Sequence, residues 1–278
     1  SILDCTFGGG GHTQSFLDKG HYVTAIDQDI NAINLAKDLS IRNSNLSFYQ
    51  VNFKDLDNLA EEITHEKFNL ILLDLGFSSN QLENKNIGIS FKINSNLNMN
   101  YLDGDLTAHK IINNYNIDEL TRVFQEYGDI IHSKKLSEFI IKARSKKTID
   151  TNFELIEIIR NSGINFRSKK IHFATQAFQA LRIEANEEIN NLNKFLGKVH
   201  SFIKKKGYLA IISFHSLEDR VVKNYFKSNS YKKNYIFNNN LDWGYEILTK
   251  KPLTPSKIEI KHNNRARSAK LRVGRLVL

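Results

Sequence analysis

The residues best able to do chemistry in this sequence lie near its amino-terminal end. Asp4-Cys5-Thr6-Phe7-Gly8-Gly9-Gly10-Gly11-His12 sets an acidic residue and a short spacer ahead of four consecutive glycines and a histidine. Glycines lack a Cβ, so a backbone built from them can come close to a ligand, which the turn between the first strand and first helix of an α/β sheet demands. A GxGxxG dinucleotide fingerprint counted from Gly8 would need glycine at position 13; Thr13 stands there, the other glycines do no better, and NAD is disfavoured. Asp27 ends the next apolar run, where a carboxylate can accept both ribose hydroxyls of an adenosine. An acid, a glycine cluster and a second strand-end acid are the combination used by S-adenosylmethionine enzymes, whose cofactor has no pyrophosphate to clamp. The competing readings are a flexible turn for the glycines and a helix-capping role for Asp27.

Two further segments carry candidate groups. Asn69-Leu70-Ile71-Leu72-Leu73 ends in Asp74-Leu75-Gly76-Phe77-Ser78-Ser79-Asn80-Gln81. As the fourth strand of the series, its carboxyl end faces the reactive end of such a cofactor, so Asp74 is the candidate to touch the transferred methyl or the atom receiving it. The alternative is an Asp capping a turn with Ser78 and Ser79. His215-Ser216-Leu217-Glu218-Asp219 follows a strand and opens a helix. There Ser216 reads as a cap with Asp219 three residues on, or the segment, His215 included, shapes a base pocket.

The elements that must position these groups follow from periodicity. Ile2-Leu3, Tyr22 to Ile26, Leu46 to Val51 and Phe68 to Leu73 read as short apolar strands separated by helical stretches at Ile30 to Asp38 and Asp57 to Thr64. This βαβαβ order predicts a doubly wound α/β fold whose parallel sheet is covered on both faces and binds ligands beyond the carboxyl ends of its strands. Asn94 to Asn100 is irregular, and Leu106 to Asn161 is helical and strand-poor, which predicts a helical insertion. Gln176 to Phe202 continues as helix, Gly207 to Phe214 returns as a strand, and Ala269 to Val273 reads as a basic final strand.

Composition narrows the function classes. The chain has 278 residues, 39 Lys+Arg against 30 Asp+Glu, one Cys and two Pro, which excludes collagen, disorder and a disulfide scaffold. Lone Cys5 fits a reducing compartment, no Cys/His cluster has zinc spacing, and the apolar runs fall far short of the roughly 20 residues that span a bilayer; a cytoplasmic protein without membrane anchor is expected. The chain opens at Ser1 inside what reads as a strand, so residues preceding it in the whole protein are expected. Residues 1–100 carry 7 basic and 12 acidic residues and residues 101–278 carry 32 and 18, so a net −5 precedes a net +14. The basic part suits a polyanion such as nucleic acid; the alternative is a solvated Lys-rich surface from an AT-rich genome, to which the 32 Asn also point.

Taken together the segments resemble one family, the bacterial small-subunit (16S) ribosomal RNA cytosine-N4 methyltransferases, or MraW family. The resemblance rests on the glycine segment, on Asp74 to Leu82, Gly88-Ile89-Ser90-Phe91 and Phe178-Gln179-Ala180-Leu181-Arg182-Ile183, and on Ile212 to Arg220 and Arg265 to Arg272, in family order across nearly the whole chain. It implies a Rossmann-like methyltransferase with a doubly wound, mainly parallel sheet and an inserted all-helical domain: residues 1–103 and 185–278 as the methyltransferase domain, and 104–184 as a substrate-side insertion. It implies S-adenosylmethionine as cofactor, contacted by Gly10, Gly11, His12, Asp27, Phe53, Asp74 and Gln81. It also implies transfer to the exocyclic N4 of a cytidine in the decoding region of 16S rRNA, with the small ribosomal subunit as partner, Asp74 and His215 as catalytic candidates, and Arg265, Arg267 and Lys270 as RNA contacts. By its residue type alone, Phe53 reads equally as core. The basic tail reads equally as a device that blunts an edge strand.

The sequence departs from the family at two places. Asn98-Met99-Asn100-Tyr101 stands where Asp-Met-Arg-Met is usual, and His172-Phe173-Ala174-Thr175-Gln176 stands for His-Pro-Ala-Thr-Arg. These losses keep two rival readings open: a catalytically impaired RNA-binding or ribosome-assembly protein on the same fold, and an amino-methyltransferase acting on DNA.

Overall fold

Ile2–Asp4 (β1), Val23–Asp27 (β2), Leu46–Gln50 (β3), Phe68–Asp74 (β4) and Ile203–Ser213 (β5) run parallel, and Gly244–Ile247 (β6) and Lys270–Val277 (β7) complete a seven-stranded sheet of order β3-β2-β1-β4-β5-β7-β6. Only β7 opposes its neighbours, pairing antiparallel with β5 and β6. The computed structural model describes residues 1–63, 67–76, 88, 93–101, 104–164, 172–231 and 243–277. Strand order reverses between β1 and β4, and the turns after their carboxyl ends open the crevice in which α/β sheets bind ligands.

The central strands are apolar because both faces are covered. Along β2, Val23 and Ala25 face one cluster with Phe7, Leu17, Ala32 and Ala36, while Ile26 faces the other, with Leu56, Leu192, Phe195 and Phe226. Burying several such side chains, each contributing about 1.5–3 kcal/mol, fixes the sheet and so the positions of the acids at its edge.

The chain divides into two units, residues 1–79 with 189–278 and residues 80–188. The second begins well before the expected position 104. The Asn-rich stretch that reads as irregular belongs to it: Leu97 and Met99 are fully buried in its core with Phe124, Leu136 and Leu181. Its described helices are Ala108–Asn114, Ile117–Glu126, Ser133–Arg144, Asn152–Asn161 and Thr175–Ala185. Helix Ala108–Asn114 falls in the stretch read as helical, whereas helix Lys257–His262 and strand β6 were not legible from periodicity, each being too short to show a repeat.

Polar side chains stitch this segment into the helices. The buried Asn100 amide donates to the carbonyls of Leu106 (2.7 Å) and Ala185 (3.2 Å), and Asn186 donates to the carbonyl of Met99 (2.7 Å). The two departures from the family pattern are absorbed here as packing: Asn100 is a backbone tether, and Gln176 donates to the Gly128 carbonyl at 3.0 Å. The Phe173 ring lies tilted against His172, 4.4 Å between centroids, and under the Arg160 guanidinium at 5.5 Å. Among the described residues no helix is long and apolar enough to cross a membrane.

Candidate active site

Parallel pairing brings three strand-end carboxylates to one edge of the sheet. Asp4 lies opposite Ala25 and Leu72, which places the following glycine turn between the ends of β2 and β4. The buried Asp4 carboxylate accepts from the Thr6 N–H (3.2 Å) and the Thr13 hydroxyl (2.7 Å), clamping both ends of that turn. Burial pushes its pKa up, against the Thr13 bond. Thr6 in turn accepts the Asp74 backbone N–H at 2.8 Å, so the first turn also fixes the end of β4.

The turn itself is shaped for close approach. Gly10 has φ +78°, a conformation that L side chains rarely adopt, and a Cβ there would meet the Phe7 ring at 2.9 Å. A Cβ at Gly9 or Gly11 would meet nothing within 4 Å, so both face open space. Helix Gly11–Leu17 starts from this turn and presents His12.

Asp27 ends β2 with its two oxygens each holding a backbone donor: Oδ2 accepts the Gly8 N–H (2.8 Å) and Oδ1 the Asp29 N–H (2.9 Å). Burial raises its pKa, opposed by these bonds. Helix Ile30–Arg42 is capped by Asp29, not by Asp27. Each Asp27 oxygen keeps a second lone pair for a ribose hydroxyl. Phe53 opens a short turn after β3, its ring edge-to-face with Phe195 at 5.8 Å, and it is partly buried against the sheet core.

At the end of β4, Asp74 Oδ2 lies 3.3 Å from His12 Nε2, while Asp74 Oδ1 is buried without a hydrogen-bond partner among the described residues. The bond to Asp74 is the foremost cause that raises the His12 pKa, ahead of opposing burial. A buried carboxylate oxygen without a donor is costly, and a ligand N–H is the natural partner. Gly10, Gly11, His12, Asp27 and Asp74 therefore share one edge. Gln81, with Ser78 and Ser79, lies outside the described residues.

His215 is the actual cap of helix Ser216–Ser228, one residue earlier than the Ser216 expectation, in a capping box with Glu218. Its Nδ1 accepts the Glu218 N–H at 3.3 Å, and Glu218 accepts the Phe214 N–H at 2.8 Å. The ring's second nitrogen lies 3.0 Å from the Glu218 carboxylate. The ring thus serves the loop after β5, which supports a structural role for His215.

The basic tail is more internally committed than its sequence implies. Lys270 and Arg272 both reach Asp219, at 3.4 and 2.6 Å, and Arg275 reaches Glu246 at 2.5 Å. Arg265 and Arg267 are exposed on the turn Asn264–Ser268. What sequence reading missed is the scaffolding role of Asp4, Thr6, Thr13 and Glu218. An acid three residues after a candidate cap was the one available signal, and it fitted Asp219 as well as Glu218.

A mainly parallel sheet of this order, with a glycine turn after β1 and acids ending β1, β2 and β4, defines a Rossmann-like methyltransferase. Residues 1–276 match the MraW methylase family, and the chain belongs to that family. Ribosomal RNA small subunit methyltransferase H of Rickettsia africae (strain ESF-5) is 40% identical over 287 residues, spanning 100% of this chain and 92% of that protein. The protein of the same name from Rickettsia conorii shows the same identity and coverage, 40% over 287 residues. An rRNA methylase from Streptococcus thermophilus overlays with a TM-score of 0.41 at 10% identity, over 100% of this chain and 86% of that one, a likeness too distant to add to the strand order.

Proposed function

We propose that this chain transfers a methyl group from S-adenosylmethionine to the exocyclic N4 of a cytidine in the decoding region of 16S rRNA, acting in the cytoplasm on the small ribosomal subunit. The observation that carries the reading is Asp74 Oδ1, a buried acceptor without a donor among the described residues, at the end of β4 beside the glycine turn. The residues fit the cofactor: Gly9 and Gly11 face open space and Asp27 keeps lone pairs for ribose. Phe53 and Gln81 complete the set implied by the resemblance. When bound, S-adenosylmethionine supplies an electrophilic methyl on a sulfonium.

The amino nitrogen of cytosine is a poor nucleophile because its lone pair is delocalised into the ring. Asp74 Oδ1 accepts one of its hydrogens, turns the lone pair toward the methyl and stabilises the ammonium that develops. A carboxylate acceptor suits an amine donor. Methylation at the C5 of the same ring would call for a thiolate nucleophile, and the sole cysteine, Cys5, is buried with its thiol pushed up by that burial. Arg265 and Arg267, exposed on the turn Asn264–Ser268, are the tail's candidates to meet RNA phosphates, with Lys270 lending less because Asp219 already neutralises it. The substrate-side role of the insertion falls to its exposed Lys134, Lys135 and Lys146, since Arg144 donates to the carbonyls of Ile112 and Tyr115 and Lys147 pairs with Glu154.

Mass analysis of nucleosides from small subunits and from naked 16S rRNA, before and after incubation with protein and S-adenosylmethionine, tests the reading. The expected product is N4-methylated cytidine. Methylation of DNA alone, or RNA binding without any methyl transfer, would replace it with one of the two rival readings.

A further inference from the structure

We propose that His12 is a positioning residue for the transfer step: its ring holds the Asp74 carboxylate by Oδ2, leaves Oδ1 for the amino group, and on protonation switches that acceptor off. The inference rests on the reading of Asp74 as the acceptor of the substrate amine. Three observations lead to it. The Asp74 main chain is fixed by the bond from its N–H to Thr6 Oγ1, so the remaining freedom is rotation of the carboxylate. His12 Nε2 is the described partner of Oδ2, at 3.3 Å, and a carboxylate only accepts, so Nε2 carries the proton. The ring is 46% exposed, which leaves its other nitrogen within reach of solvent.

The charged groups facing the ring are Asp74 from β4 and Asp4 from β1, and its own helix Gly11–Leu17 carries no other ionisable side chain. Both acids favour the imidazolium. Beside Asp74 the imidazolium cancels the negative potential that would stabilise a developing ammonium. In the transfer, the amine lone pair forms the N–CH3 bond while the S–CH3 pair stays on sulfur as a thioether. The surplus amine proton passes to Asp74 Oδ1 and then to water at the open edge. With His12 neutral the carboxylate is a full acceptor for that proton; with His12 charged it is not.

His12→Gln keeps an N–H for Oδ2 and removes the titration. In single-turnover methylation of small-subunit RNA at saturating cofactor, the wild-type log rate should rise with a slope of about one against pH and then level. His12→Gln should lose that limb, its rate at saturating cofactor staying flat with pH relative to its own high-pH value, whereas His12→Ala, which has no N–H for Oδ2, should lose rate at every pH beyond any change in cofactor occupancy measured by calorimetry. Independently of catalysis, NMR titration of the His12 ring should show its pKa falling in Asp74→Asn. A limb that persists in His12→Gln, a rate that falls only as cofactor occupancy falls, or an unchanged His12 titration in Asp74→Asn would overturn the inference alone. A wild-type protein that methylates no RNA would overturn the function it rests on as well.

Discussion

The edge of the sheet and the strap of the helical insertion use polar side chains in opposite ways. At the edge, Asp4 and Asp27 hold backbone donors of the glycine turn, and Asp74 keeps a buried oxygen without a donor among the described residues. In the strap, Asn100 and Asn186 turn their amides onto backbone carbonyls of their own unit, and helix Asn152–Asn161 begins from a capping box of Thr151 and Glu154. An amide carries both donor and acceptor and can close its hydrogen bonds internally; a carboxylate accepts only, and where the chain offers too few donors it is left waiting for a ligand. Charge left uncommitted marks the site, and polarity consumed by the backbone marks the scaffold.

Breaking the edge should cost most. Asp74→Asn keeps the side-chain shape and removes the charge, so methyl transfer at saturating cofactor should fall about 10²–10³-fold, the scale on which a group that stabilises transition-state charge acts. Rate and calorimetric cofactor affinity must be read on one preparation, because a rate that merely follows occupancy would reduce Asp74 to a binding residue. Asp27→Ala should weaken cofactor binding about 10- to 100-fold, the loss of a hydrogen bond to a charged group, and also lower stability by about 1–3 kcal/mol because the Gly8 and Asp29 N–H groups lose their acceptor. Calorimetry together with thermal melts separates the two effects. Unchanged affinity in the folded variant would leave Asp27 a scaffold residue like Asp4.

The strap supplies the contrasting test. Asn100→Ala should destabilise the protein by about 1–3 kcal/mol in urea while cofactor affinity stays at the wild-type value, since the carbonyls it served lose their donor. A large loss of cofactor affinity would erase the distinction between the two regions. The smallest effect is expected at Glu154, whose pKa is pushed down to about 2, first by the Lys147 bond and then by backbone N–H groups. Its folded pKa lies below the unfolded value of about 4.3, so its contribution is present above that value and is lost as pH falls through about 2. The side chain is 34% exposed and screened by water, and its part in the capping box points to a loss of about 1 kcal/mol in Glu154→Gln at neutral pH. Urea midpoints should converge between variant and wild type under strongly acidic conditions.

Much of the sheet was legible because its strands are short apolar runs that end in charged or glycine-rich turns. A run buried on both faces must stop where polarity begins, so Asp27 and Asp74 announce themselves as strand-end residues. The Asp4–Thr13 clamp and the Thr6–Asp74 bond were not legible, because they depend on the register that sets Asp4 opposite Leu72. The cap was misplaced by one residue because His215 with Glu218 and Ser216 with Asp219 share the same spacing. Burial decided between them, leaving Glu218 facing the backbone and Asp219 facing Arg272.

The sequence by itself determined the element types, the glycine turn, the acids at the strand ends, the helical insertion and the family, all carried by local pattern and by the order of motifs along the chain. The tertiary structure alone decided which charges stay available. Lys270 and Arg272 look like free cations in a tail without acids, yet Asp219, more than fifty positions earlier along the chain, meets both once β7 lies beside β5. Asp74 looks like any strand-end aspartate, yet Thr6 in the turn after β1 gives it a fixed main chain, the helix after the glycine turn gives it His12, and nothing described donates to its second oxygen. Ion pairs and unmet acceptors are set by distances of a few ångströms between residues far apart in the chain, and only the packed sheet specifies those distances.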